Sequence, residues 1–162
     1  MIRRLRLLAA AILVPAACLA GGLIAPAPAQ ASTWTCGAGT ASIYNSYGTQ
    51  GWNSGNDLIY AGDIQDHFCT AAESPFSGYV YIKDTTQGSK CVTWVQAANW
   101  FDLATCGQYP ASQSYKFTSV SMGLEIYNYY AGDCEAADAD NIPVYGYACA
   151  NFKQRTWSLA YH

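Results

Sequence analysis

"SIYN" (42–45), "YIKD" (81–84) and "EIYN" (125–128) open three stretches of a 162-residue chain that read as copies of one unit. The longer runs "YIKDTTQGSKC" (81–91) and "EIYNYYAGDC" (125–134) each pass from a short apolar–polar alternation through a glycine-bearing turn into a cysteine. The pair Cys91 and Cys106 recurs 43 residues later as Cys134 and Cys149. Anchoring on Ile43, Ile82 and Ile126 gives steps of 39 and 44 residues, a period that marks a repeated supersecondary unit. The first copy, "SIYNSYGTQGW" (42–52), has Gly51 and Trp52 where the first cysteine would fall, and it keeps a late cysteine, Cys69, in "DHFC".

The segment before the first copy reads differently. Residues 1–31 carry Arg3, Arg4 and Arg6, then an apolar run, then Ala29-Gln30-Ala31. A charged start, a hydrophobic centre and a small-residue cleavage site make a secretory signal. Gly, Ala and Pro interrupt the apolar run, which argues against a membrane anchor. Pro15 stands where an aliphatic residue would precede a lipid-attachment cysteine at Cys18. Cutting after Ala31 leaves one domain, 32–162, with units at approximately 32–78, 79–120 and 121–162. The three arginines leave with the signal, so the mature chain is more acidic than the whole-chain net charge of −3. Nucleic-acid backbones and anionic membranes require clustered cations, and the mature chain has none. The expected protein is secreted and extracellular, with no stable membrane insertion.

Six of the seven cysteines remain after cleavage: Cys36, Cys69, Cys91, Cys106, Cys134 and Cys149. An even number behind a secretory signal implies disulfides. The repeated spacing predicts Cys91–Cys106 and Cys134–Cys149, leaving Cys36–Cys69. Each 15-residue loop closed in this way contributes about 3 kcal/mol on the chain-entropy model. The other segments are strand-like. "SGYVYIKD", "KCVTWV", "YKFTSV", "SMGLEIYN" and "PVYGYAC" are β-rich, and "SPFSG", "QGSK", "QYPAS" and "AGDC" punctuate them as turns. No segment holds an apolar 3.6-residue period over three turns. The fold class is all-β. Threefold repetition favours closure into a barrel, which removes exposed sheet edges. A disulfide-rich β-sandwich and a crystallin-like pair of Greek keys are the competing architectures.

With these elements in place, the chain resembles the ricin-type β-trefoil lectin domain. The likeness rests on the unit starts "SIYN" and "EIYN", the turn into a cysteine, and a second cysteine 15 residues on. A Gln-x-aromatic element then follows: "SQSYKF" with Gln113 and Tyr115, and "KQRTWSL" with Gln154 and Trp157, the latter one residue longer. The resemblance implies a disulfide-linked β-trefoil of three four-stranded repeats, with room for one shallow sugar pocket per repeat. It also implies an Asp two residues after the first cysteine, where this chain has Thr93 and Ala136. An aromatic platform is implied two residues before the second cysteine, where it has Ala104, Tyr147 and, in repeat one, His67. Repeat three is therefore the best carbohydrate-binding candidate: Tyr147 as platform, Gln154 as amide, and Asp138 or Asp140 as a displaced carboxylate. The ordinary alternatives are packing for Tyr147 and a backbone-bonding role for Gln154.

Other constellations are weaker. "DCEAADADN" (133–141) gathers oxygen ligands that could attract Ca²⁺, but its spacing is not that of an EF-hand, and solvated acidic loops are common. Two histidines and no Cys-x-x-Cys argue against zinc. Asp63, Asp66 and His67 sit together in "DIQDHFC", yet no nucleophile motif accompanies them. No carboxylate pair is placed across a cleft for glycoside hydrolysis. Trp52, Trp94 and Trp100 are either loop-tip binding residues or packing over the disulfides. The sequence therefore points to a non-enzymatic secreted protein without a cofactor. Its expected partner is a glycan or polysaccharide; the alternative is an extracellular protein, bound as by a protease inhibitor or an interaction module.

Overall fold

Short runs of β-branched and aromatic residues separated by turn formers give short strands. The computed structural model describes residues 34–45, 50–62, 66–88, 90–138, 142–150 and 153–162. The leader 1–31 and the residues Asp63, Asp140 and Asn141 lie outside them. The first four strands are β1 (Ala41–Asn45), β2 (Gly51–Gly55), β3 (Leu58–Gly62) and β4 (Phe68–Ala71). The next are β5 (Tyr81–Asp84), β6 (Cys91–Val95), β7 (Trp100–Ala104) and β8 (Tyr115–Val120). The last are β9 (Gly123–Asn128), β10 (Cys134–Ala136), β11 (Ile142–Pro143), β12 (Tyr145–Tyr147) and β13 (Trp157–Tyr161). A 3₁₀ turn, Lys153–Arg155, precedes β13.

Six strands close a ring. Within repeats, Ala41 pairs with Phe68, Val80 bridges Tyr115, and Leu124 pairs with Trp157. Between repeats, β4 pairs with β5, β8 with β9, and β13 with β1. Six of the remaining strands form three hairpins, β2–β3, β6–β7 and β10–β12, and the short β11 leads into β12. These cap one end of the barrel and touch in turn: Leu58 with Asp102, Trp100 with Tyr145, and Ile142 with Ala61. A six-stranded barrel with a triangular cap of hairpins is the β-trefoil. The β2–β3 hairpin turns through Asn56 and Asp57, both at positive φ (54° and 66°), as a two-residue hairpin turn requires.

The pairing register makes the repeat equivalences explicit. Tyr44 faces Gly51, Lys83 faces Cys91, and Tyr127 faces Cys134. Counting along from these pairs, the core is built in layers of three, one residue from each repeat. The layers are Ile43, Ile82 and Ile126; Ile59, Phe101 and Val144; and Phe68, Tyr115 and Trp157, all fully buried. Each such side chain contributes roughly 1.5–3 kcal/mol by leaving water. Trp52 stacks edge-on against both Phe68 and Trp157, so it is a core residue and not a loop tip. The fourth residue of each opening run is also buried: Asn45, Asp84 and Asn128. Asp84 Oδ1 accepts from the amides of Thr86 and Gln87, and Asn128 Oδ1 from those of Tyr130 and Ala131. The acid of the second copy and the amide of the third are thus turn anchors, while Asn45 Nδ2 donates to Gln50 Oε1 at 2.6 Å. Disulfides join Cys36 to Cys69, Cys91 to Cys106 and Cys134 to Cys149.

One layer breaks the apolar rule. Trp52, Val92 and Glu135 occupy equivalent positions, and all are fully buried. Neither carboxyl oxygen of Glu135 has a hydrogen-bond partner among the described residues. Glu135 therefore faces the core and is no part of a solvated acidic loop. Burial pushes its carboxyl well above the usual range, which favours the protonated form in the folded protein. Because the folded-state value is raised, this group favours folding below the ordinary carboxyl range, and the advantage is lost as pH rises toward the folded-state value. Above that ordinary range the native protein should lose up to about 1.4 kcal/mol per pH unit from this group. Urea unfolding from pH 4 to 9 should show Glu135→Gln lacking that slope. Identical slopes in the two proteins would mean that Glu135 is not buried as described.

Candidate functional site

In repeat three the candidate residues are only partly gathered. Tyr147 lies at the end of β12 and is 49% exposed. The Arg155 guanidinium sits 4.0 Å from the centre of its ring, a cation–π contact that covers one face. The Tyr145 hydroxyl donates to the Asp138 carboxylate, and burial followed by Asp138 itself holds that phenol well above its usual range. Asp138 is thereby engaged beside Tyr145. The Gln154 carbonyl accepts from the Ala137 amide at 3.0 Å.

Comparing repeats explains the extra residue in "KQRTW". In repeat two, the Trp94 amide bonds the Ser112 carbonyl as the Ala137 amide bonds that of Gln154. Gln154 therefore matches Ser112, and Arg155 matches Gln113. Gln113 is fully buried; its Oε1 accepts from the Gly107 amide, and its Nε2 donates to Thr93 Oγ1 and the Thr105 carbonyl. Arg155 donates to the Ala148 carbonyl, the residue before Cys149 as Thr105 is the residue before Cys106. In repeat one the same position is Asp66, whose carboxylate accepts from the Ser54 amide at 2.6 Å and from the Ser54 hydroxyl. Register also moves the repeat-one platform position from His67 to Gly62, because Cys69 lies within β4 and not in the loop before it.

Repeat two holds a cavity that the spacing of its motifs did not announce. About 370 Å³ of space lies beside the β6–β7 hairpin, lined by Thr93, Trp94, Gln96, Asp102, Tyr109 and Ser112 among others. Tyr109 is 50% exposed, whereas Trp94 is buried and forms wall. Asp102 has its carboxyl raised, by burial first and then by Asp57, with Lys90 opposing. Lys90 itself pairs with Asp57 at 2.5 Å. The loop carrying Tyr109 is held firmly. It leaves the Cys91–Cys106 disulfide, the Gln113 amide bonds the Tyr109 carbonyl, and the Ser114 hydroxyl bonds the Pro110 carbonyl. Asp102 could be found in "NWFD" and Tyr109 in "QYPAS", but only the fold brings them together.

No family model matches the chain, and no curated protein matches it. Solved structures do. A Clostridium perfringens endo-β-galactosidase that releases GlcNAcα1-4Gal aligns with a TM-score of 0.65 at 12% identity, over 76% of this chain and 32% of that one. The designed 3-fold symmetric protein ThreeFoil aligns at 0.59 and 11%, over 74% and 96%. The Haemophilus ducreyi cytolethal distending toxin aligns at 0.62 and 14%, over 82% and 86%. The chain spans about a third of the endo-β-galactosidase it matches. At these identities the likeness is one of fold, and the protein is a disulfide-linked β-trefoil.

Trp94 reaches its place because Gly146, on the neighbouring hairpin, has no side chain. A Cβ there would lie 3.0 Å from two carbons of the Trp94 ring. Gly146→Ala should displace Trp94 and cost about 1–3 kcal/mol, as overpacking does. Thermal unfolding together with a changed tryptophan emission spectrum would show this. Unaltered stability and emission would mean that the two hairpins are not packed so closely.

Proposed function

We propose that this is a secreted, non-enzymatic carbohydrate-binding protein whose principal site is the repeat-two cleft. The observation that carries the reading is the convergence there of an exposed ring, Tyr109, with a partly sheltered carboxylate, Asp102, and the polar side chains of Gln96 and Ser112. A sugar presents C–H groups that stack on an aromatic face and hydroxyls that need acceptors and donors. A preformed concavity with a few convergent polar groups suits such a ligand. Tyr147 in repeat three is the second place a sugar would stack, on the face that Arg155 leaves open. The likeness to a galactosidase concerns a third of that enzyme and supports a glycan ligand only in general terms. Three disulfides support an oxidising, extracellular setting, and among the described residues no helix is long and apolar enough to cross a membrane.

One observation favours a protein partner instead. Phe76 and Tyr129 stack at 4.0 Å, and Tyr79 meets Tyr129 edge-on at 5.2 Å. Surface aromatics of this kind also serve protein interfaces.

Binding of the oxidised mature protein to a glycan array and to insoluble polysaccharides separates the readings. Tyr109→Ala should weaken binding roughly tenfold, and Asp102→Asn by about 10- to 100-fold through loss of charged hydrogen bonds. Tyr147→Ala should change little. Loss of binding with Tyr147→Ala alone would move the site to repeat three. Absence of binding to every glycan would overturn the carbohydrate reading in favour of the protein partner.

A further inference from the structure

The repeat-two cleft does not stand alone. A second concavity, of about 350 Å³, lies on the other side of the same loop, lined by Gln108, Tyr109, Pro110, Ser112 and Tyr130. Tyr109 and Ser112 line both spaces. Tyr130 is 52% exposed and comes from repeat three. Its hydroxyl donates to Gln96 Oε1 at 3.1 Å, and Gln96 lines the first cleft. The two hollows are therefore joined twice, by the Tyr109 ring between them and by the Tyr130–Gln96 contact along one rim.

The second hollow is also built to keep its shape. Asn128 Nδ2 donates to the Ser112 carbonyl at 2.9 Å, while its Oδ1 accepts from the Tyr130 and Ala131 amides. One buried side chain thus holds both walls. The Tyr129 amide adds a bond to the Ser114 carbonyl at 2.9 Å. Gln108 Nε2 lies 3.1 Å from the Tyr109 hydroxyl, which it reaches as a donor. Two aromatic rings from different repeats, with amides and hydroxyls between them, suit a ligand that repeats the same amphipathic unit along its length.

We infer that the site takes a linear oligosaccharide in preference to a single sugar. One unit fills the Asp102 cleft and the next lies in the Tyr130 hollow, so that the chain crosses Tyr109. This rests on the carbohydrate reading of the Asp102 cleft. The fixed walls mean that the second unit is bound without ordering a loop, so added length should appear as added affinity.

The test is isothermal titration with xylo-, cello- and β-1,4-galacto-oligosaccharides of one to four units, against the native protein, Tyr130→Ala, Tyr130→Phe and Asp102→Asn. Tyr130 is a surface side chain, so its variants should fold. In the series that binds, affinity should rise at least tenfold from one unit to two or three. Tyr130→Ala should remove most of that gain, and Tyr130→Phe should keep most of it. Asp102→Asn should weaken every length. Equal affinity at all lengths, or a length gain untouched by Tyr130→Ala, would overturn the two-unit site and leave the carbohydrate reading standing. Failure of all lengths in all three series to bind would overturn both.

Discussion

The pairing of β13 with β1 is the contact on which the rest depends. It runs over five residue pairs, from Ala41 with Tyr161 to Asn45 with Trp157, and it joins the end of the third repeat to the start of the first. Without it the six barrel strands would be an open sheet with two edges. With it, equivalent residues of the three repeats must converge on one axis, and each layer of the core must be filled by three side chains at once. The layers Ile43, Ile82, Ile126 and Phe68, Tyr115, Trp157 show what that demands. The first is met by one residue used three times, the second by three aromatic rings of different size. Closure also sets the hairpin cap, in which each hairpin is braced by the next.

This requirement accounts for what was legible in the sequence. Ile43, Ile82 and Ile126 stand out because one residue fills that layer three times, whereas the layer of Ile59, Phe101 and Val144 is filled by side chains of different volume and leaves no such trace. The repeated cysteine spacing stands out because each disulfide closes the same hairpin in repeats two and three. The fourth residue of each run is readable as polar but not as to purpose. Asp84 and Asn128 share the position because a strand must turn sharply into the hairpin, and a short side-chain acceptor is what satisfies the amides of such a turn.

What was not legible is equally physical. Position 135 is equivalent to Trp52 and Val92, but an acid followed by Asp138 and Asp140 reads as surface until the register places it inward. The Gln-x-aromatic element is degenerate for a related reason. The position two before the barrel aromatic needs a side chain that ties the hairpin to the strand. Asp66, Gln113 and Arg155 all do so with different chemistry, so residue identity drifts while the geometry is kept. Cysteine offsets place Tyr147 and Ala104 at equivalent register positions, opposite Cys134 and Cys91, but put His67 where the register has Gly62. Offsets within one repeat cannot report Tyr109, which comes from a loop, or Tyr130, which is lent by the next repeat.

Repeat symmetry and a functional site make opposite demands. A perfectly symmetric trefoil would offer the same hollow three times, each shaped by the same residues. Here the substitutions that spoil one hollow help to form another. Gly146 replaces a side chain in repeat three, and the space so freed admits the Trp94 ring that walls the repeat-two cleft. Arg155 replaces the glutamine and keeps the backbone bond, but its guanidinium then lies over Tyr147 and takes up part of the platform. Asn128, a turn anchor required by the fold, also fixes the Ser112 and Tyr130 walls of the neighbouring hollow. Asymmetry of this kind costs little in the core, because the axial layers stay filled. It concentrates the groups of the proposed site at the junction of repeats two and three, where a turn anchor and a cavity wall are held by the same amide.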